Sequence, residues 1–435
     1  MNPSVLDPYV NWLRGSSTVR WQGRVTHVVG NLVESAGPFC SVGESCQIML
    51  SSGAMFPGEI VGFRGSKVLS MSLEEPHGVR FGDQLVTWGA RPSFRVGFHL
   101  LGRVVDAVGR PLDSKGEYPA SRSLPVDGCA PKPLDRTLIH EPLGCGIRAI
   151  DGFITCGRGQ RVGIFGGSGV GKSTLIGMMA RGTAADITVL ALIGERGREV
   201  GEFLETLGPE GLRRSVVVVS TSDQSPLLRI RAALAATTIA EYFSAHGKNV
   251  LLVVDSLTRF AMAQREIGLA AGEPPTAKGY TPSVLSMLAR LVERAGRFSQ
   301  GSITAFYTVL MEGDDQQDPI VDTVRSLLDG HIVLDRKLAL RNHYPPVSVL
   351  DSLSRLMPNV CAQEHMKKAG ELRMLLAAYA RSEDLVRIGA YQAGSDPTLD
   401  KALSALPQIE KFLRQQPGEA APLDTNLNQL QALPT

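Results

Sequence analysis

Cysteine is scarce in this chain of 435 residues, and its few copies are scattered. The six are Cys40, Cys46, Cys129, Cys145, Cys156 and Cys361. No CxxC pair occurs, which argues against a zinc site and fits reduced thiols in a cytosolic protein. Excess charge is also missing. The 45 basic and 43 acidic residues leave a net +2. That excludes a uniformly basic nucleic-acid binder and leaves room only for a local patch. No apolar run approaches about 20 residues, so no membrane-spanning helix is expected. The opening MNPSVLDPYVNWLRG lacks the basic and apolar regions of a signal peptide. No repeat of solenoid period occurs. What is present is an ordinary globular composition, 43% hydrophobic, enough for a sizeable core and for about two to four domains.

The texture changes along the chain. Residues 1–20 form a separate segment, with Val5, Tyr9, Val10, Trp12 and Leu13 as the apolar members of a short helix. It either docks a partner or frays and folds back on its own domain. Residues 21–95 read as β: GRVTHVV, CQIML and KVLSMSL are separated by glycine-containing turns. Leu69, Met71 and Leu73 alternate with serines, the period of a half-buried strand. A small barrel or a sandwich fits. GRVVDAVGRPLD then leads into a connection that runs to about Arg136. With it, residues 96–358 make one α/β domain, whose apolar runs RVGIF, ITVLALIG, SVVVVS, NVLLVVD, SITAFYTVL and HIVLD suit a mostly parallel sheet covered on both faces. Residues 359–416 carry helical periodicity, and 417–435 read as a polar, disordered tail.

The chemistry begins at GGSGVGKST, which matches G-x-x-x-x-G-K-[ST] between a strand and a helix. Gly166, Gly167, Ser168, Gly169, Val170 and Gly171 wrap backbone N–H groups around phosphate oxygens. Thr174 closes the motif at the head of the helix. Lys172 reaches the β- and γ-phosphates and Ser173 offers its hydroxyl to Mg²⁺. A nucleoside triphosphate such as ATP is the implied ligand. Asp255, at the C-terminal end of NVLLVVD, is the candidate for a metal-side carboxylate; the competing reading is a cap for the helix that follows. Glu195 ends ITVLALIG on the same sheet edge and could orient the attacking water, with Arg196 countering phosphate charge. Alternatively Glu195, Arg196, Arg198 and Glu199 are a solvated cluster at a helix start.

GERGREV, GRVVDAVGRPLD and HYPPVSVLDSLSR together resemble the flagellar and type III secretion export ATPases, relatives of the catalytic subunit of rotary ATP synthases. The similarity runs from about Gly23 to about Phe412. It implies an N-terminal β-barrel, a central RecA-like domain and a C-terminal helical domain, assembled as a homo-oligomeric ring, a hexamer, with ATP at the seams. It makes Glu195 the catalytic glutamate, Arg196 a phosphate-side arginine and Asp255 the acidic end of the second nucleotide motif. Arg355, in DSLSR, takes the position of an arginine finger that completes a neighbour's site. Tyr344, in HYPP, takes the position of a ring against adenine. The implied partners are a stator-like regulator at the N-terminus, a stalk-like export protein, substrates and chaperones at the C-terminal domain, and an export gate. The implied place is the cytoplasm, peripheral to the inner membrane. Ser348 departs from the wider family, which prefers Asp, Asn or His there.

Three other readings compete. A rotary ATP synthase subunit is the nearest, but the acidic cluster that meets a central stalk is not evident, and IGAYQAGSDP stands instead, as in the export group. An RNA-translocating ring should carry stacking aromatics on the barrel. Trp21, Phe39, Phe56, Phe63, Phe81 and Trp88 are scattered instead, so no nucleic-acid partner is expected. A catalytically silent nucleotide-binding subunit would not need Glu195.

Overall fold

Trp21–Val29, Leu32–Ala36, Ser45–Met49, Met55–Arg64, Lys67–Ser72 and Gln84–Thr87 pair antiparallel and close into a barrel. Of the two β architectures the sequence allowed, the closed one forms. Val25, Val33, Cys46, Ile48, Ile60, Val68 and Leu85 fill its interior. The computed structural model describes residues 19–119, 122–311, 318–419 and 421–434. The expected docking helix falls almost entirely within residues 1–18, outside the described residues.

Lys67–Ser72 departs from the half-buried pattern. Val68 points into the barrel, while Leu69 and Met71, with Leu73 beyond them, belong to the core cluster of the central domain. The apolar face therefore meets a second domain, and the serine face, read as exposed, turns toward the barrel interior with Val68. Ser70 and Ser72 are buried too. Ser70 Oγ donates to the Val33 carbonyl at 3.2 Å, so its burial leaves no orphaned hydroxyl. Polar ties join the same two bodies. Arg231 donates to Glu59 at 3.0 Å, the Ser225 hydroxyl to the Leu73 carbonyl at 2.7 Å, and Arg64 to the Ala270 carbonyl at 3.2 Å.

The central sheet runs in the order Val347–Ser354, Gly330–Leu334, Arg161–Gly166, Ser302–Leu310, Asn249–Asp255, Ile187–Glu195, Ser215–Thr221, Arg103–Asp106. Its inner strands are parallel, and Val347–Ser354 closes one edge antiparallel. Arg103–Asp106, from the connecting segment, is the other edge, parallel to Ser215–Thr221. Ile187–Glu195 explains the unbroken apolar runs. Val189, Ala191 and Ile193 face one core cluster, and Leu190 and Leu192 face the other. Both faces are covered, so no polar alternation is needed.

Helices Gln363–Arg387, Pro397–Leu413 and Leu423–Gln431 form the C-terminal region. The last corrects the expectation of a disordered tail. Leu430 is fully buried in the cluster that holds Ile150, Phe153 and Phe412. Asn426 Nδ2 donates to Asp151 Oδ2 at 2.8 Å, and Asp151 is itself buried on helix Arg148–Phe153. Burial pushes the Asp151 carboxyl up to about 7, against the pull of hydrogen bonds from the Cys145 N–H and Asn426. Asn426→Ala removes a donor from a buried carboxylate, so unfolding stability should fall by about 1–3 kcal/mol. The ionised form loses the most, and the loss also raises the Asp151 pKa. The destabilisation seen in urea titrations should therefore be larger above pH 7 than below it.

Candidate nucleotide site

The strand Arg161–Gly166 delivers the chain to the phosphate loop, and helix Lys172–Gly182 leaves it. Gly171 sits at the helix N-cap with φ +100°, in the left-handed region that favours glycine. No side chain caps this helix and its first turn carries no acid. Its leading N–H groups thus remain open to an anion, which the helix dipole also favours. Ser168, Gly169, Ser173 and Thr174 are exposed around this opening.

Lys172, Asp255 and Glu195 come together at the C-terminal edge of the sheet. Lys172 Nζ lies 2.6 Å from Asp255 Oδ1 and 4.0 Å from Glu195 Oε1. Asp255 is nearly fully buried, and its Oδ1 also accepts from the Thr308 hydroxyl at 2.7 Å. The capping alternative for Asp255 is not what forms. Ser256 caps helix Leu257–Ala271, its hydroxyl accepting from the Arg259 N–H at 3.3 Å.

The charge cluster around Glu195 divides in two. Arg196 points outward, 78% exposed, with its guanidinium 3.7 Å from Glu199. Arg198 pairs with Glu202 on the surface. Glu195 instead turns inward toward Lys172. A register shift at Gly194 re-aims it. Gly194 has φ +69°, and a Cβ there would press on the Arg259 side chain at 3.1 Å. Burial, with the Asp255 charge beside it, raises the Glu195 carboxyl to about 7, against the pull of Lys172. That is the range of a base poised for work near neutrality.

Two members of this group escaped the sequence reading. Thr308, on Ser302–Leu310, supports Asp255. Arg259 packs over Gly194, and its buried Nε has no hydrogen-bond partner among the described residues. Its place one turn into the helix after Asp255 is the only signal the sequence offers.

Tyr344 is 42% exposed, on the wall of a cleft rather than in a core. The cleft, about 490 Å³, is lined by Gly171, Thr174, Tyr344, Pro346, Gln415 and Gln416 among others. The Gln415 N–H donates to the Tyr344 carbonyl at 2.8 Å, so the C-terminal region forms the opposite wall.

Arg355 is not brought to this site. It is exposed and follows the edge strand Val347–Ser354, whose Ser354 pairs with Gly330. Its N–H donates to the Asp329 carbonyl at 3.0 Å, and the Asp329 carboxylate holds Arg161. Arg161 begins the strand that ends at the phosphate loop, roughly 16 Å away at the rise of a strand. Ser348 serves the same edge strand: its hydroxyl donates to Asp351 at 2.6 Å beside a bulge.

Residues 146–354 match the nucleotide-binding domain of the ATP synthase alpha/beta family. A "Flagellum-specific ATP synthase" of Treponema pallidum is 53% identical over 417 residues, 95% of this chain and 93% of the relative. The chain belongs to the ATP synthase alpha/beta family. Residues 361–432 of this family member match the C-terminal domain of the type III secretion ATPase EscN. A "Type 3 secretion system ATPase" of Sinorhizobium fredii is 46% identical over 414 residues, 95% of this chain and 92% of that one. The structure of assembled EscN, from enteropathogenic E. coli, superposes with a TM-score of 0.89 at 46% identity. That likeness covers 94% of this chain and 98% of EscN. The chain is therefore an ATPase of the export branch of the family, with the barrel, nucleotide domain and helical region the resemblance implied.

Proposed function

We propose that this export ATPase cleaves ATP at the seams of a hexameric ring. Each copy grips the nucleotide with its own phosphate loop and offers Arg355 to the next. The observation that carries this reading is the placement of Arg355, exposed and tied through Asp329 to the start of the strand whose far end is its own phosphate loop. An arginine so placed can complete only another copy's site. Lys172 leaves Asp255 for the β- and γ-phosphates. Glu195 aligns the attacking water and accepts its hydrogen bond, and Arg355 meets the charge that develops on the transferred phosphoryl group. Arg196 swings in from the rim as a further countercharge. Tyr344 stacks against adenine in its cleft.

Ser173 and Asp255 would hold Mg²⁺, which would supply positive charge to offset the nucleotide's phosphates. Both offer oxygen, as that ion requires. Among the described residues no group of three or more His, Cys, Asp or Glu could hold a metal alone. A P-loop needs none, because phosphates and waters complete the shell.

EscN has been solved with its central stalk EscO, which supports a stalk-like partner here. Substrates and chaperones would meet the C-terminal helices, and a stator-like regulator the N-terminal segment. No helix among the described residues is long and apolar enough to cross a membrane. Contact with the cytoplasmic face of the inner membrane and its export gate then runs through partners. Lys172→Ala tests the core of the proposal. It should abolish ATP binding in a fluorescent-nucleotide titration and phosphate release by the purified protein, while the native protein turns over without stimulation by RNA. Normal turnover in the variant would remove the phosphate loop from the reaction.

A further inference from the structure

The root of Arg355 is fastened on both sides to the strand that ends in the phosphate loop. On one side, the Ser354 hydroxyl accepts from Gln160 Nε2 at 3.0 Å and donates to the Thr155 carbonyl at 2.8 Å. Gln160 is fully buried, and its Oε1 accepts from the Gly157 N–H at 2.8 Å. On the other side, the Asp329 carbonyl accepts the Arg355 N–H at 3.0 Å and Gln160 Nε2 at 3.1 Å. The Asp329 carboxylate takes a two-pronged grip from Arg161, Nε at 3.0 Å and Nη2 at 3.1 Å, and also the Arg161 N–H at 3.1 Å. Such paired bonds fix orientation as well as distance. Gly330 lets the strands close in: a Cβ there would stand 2.6 Å from the Leu353 carbonyl oxygen. Gln160 and Arg161 are consecutive, and Arg161–Gly166 is the strand that becomes the loop.

We propose that Gln160 and Asp329 are positioning residues for Arg355. They hold its backbone so that the guanidinium meets the neighbouring copy's γ-phosphate. The inference rests on the seam reading above. A displacement of about 1 Å at a reacting group can cost on the order of 10²-fold in rate, so the clamp matters to turnover without touching nucleotide.

Mixed oligomers test it. Chains with Lys172→Ala supply the arginine but no working site. Chains with Arg355→Ala supply a site but no arginine. Mixing the two should restore ATP turnover that neither shows alone. Asp329→Asn, added to the Lys172→Ala chain, should cut the restored turnover by about 10²-fold with the KM for ATP unmoved. Added instead to the Arg355→Ala chain, it should leave the restored turnover intact. Gln160→Met, which keeps volume and removes the hydrogen bonds, should show the same asymmetry if Asp329→Asn fails to fold. Equal loss in both arrangements, or no loss in either, overturns the positioning role and spares the seam reading. Failure of the two parent variants to complement each other overturns both.

Discussion

Glu195→Gln should bind ATP about as well as the native protein and hydrolyse it on the order of 10²–10⁴-fold more slowly, the span of a lost general base. The amide keeps the shape of the side chain and its place at the end of Ile187–Glu195, so the phosphate loop is left intact. What disappears is an acceptor that can draw a proton from water. The pH profile separates this role from a structural one. The Glu195 carboxyl stands at about 7 because burial and Asp255 disfavour its charge. Only the ionised form accepts the proton. In the native protein kcat/KM should therefore rise with pH along an acid limb near 7 and flatten above it, since kcat/KM reports the free protein. The limb should be absent from the Gln variant. Its persistence there would assign the titration to another group and demote Glu195.

Arg355→Ala is the second large effect. Loss of an arginine finger costs about 10³–10⁵ in kcat, with nucleotide binding and the ring retained. Lysine should not restore the rate, because a point charge on a flexible stem does not reproduce the planar guanidinium fork. Phosphate release measured beside nucleotide affinity decides the matter. Parallel loss of both would make Arg355 a structural residue of its own chain.

The phosphate loop was legible because its chemistry is contiguous: nine consecutive residues, Gly166 to Thr174, carry both the turn and the ligand groups. Asp255 was half legible. Strand and carboxylate could be read, but not that Ser256 would take the cap. Glu195 could not be resolved from its charged neighbours, since what separates them is the bulge at Gly194 and the burial it produces. Arg355 came from resemblance alone, because no local pattern in the sequence marks it. The terminal helix was readable in part. Leu423, Leu427 and Leu430 fall at helical spacing, yet the polar residues between them outweighed that stripe, and Asn426 gave no hint that its partner would be Asp151. Likewise Leu69 and Met71 announced a strand but not the second domain packed on it.

Leu32, Leu69, Met71 and Leu73 carry the barrel's outer face into the nucleotide domain's core, and Arg231, Ser225 and Arg64 pin the two together. Bending at that junction would have to break this packing and these hydrogen bonds, so we expect the two domains to move together during turnover. If the proposed stalk is driven by this ring, we expect the moving surface to lie among the helices after residue 361, outside that junction.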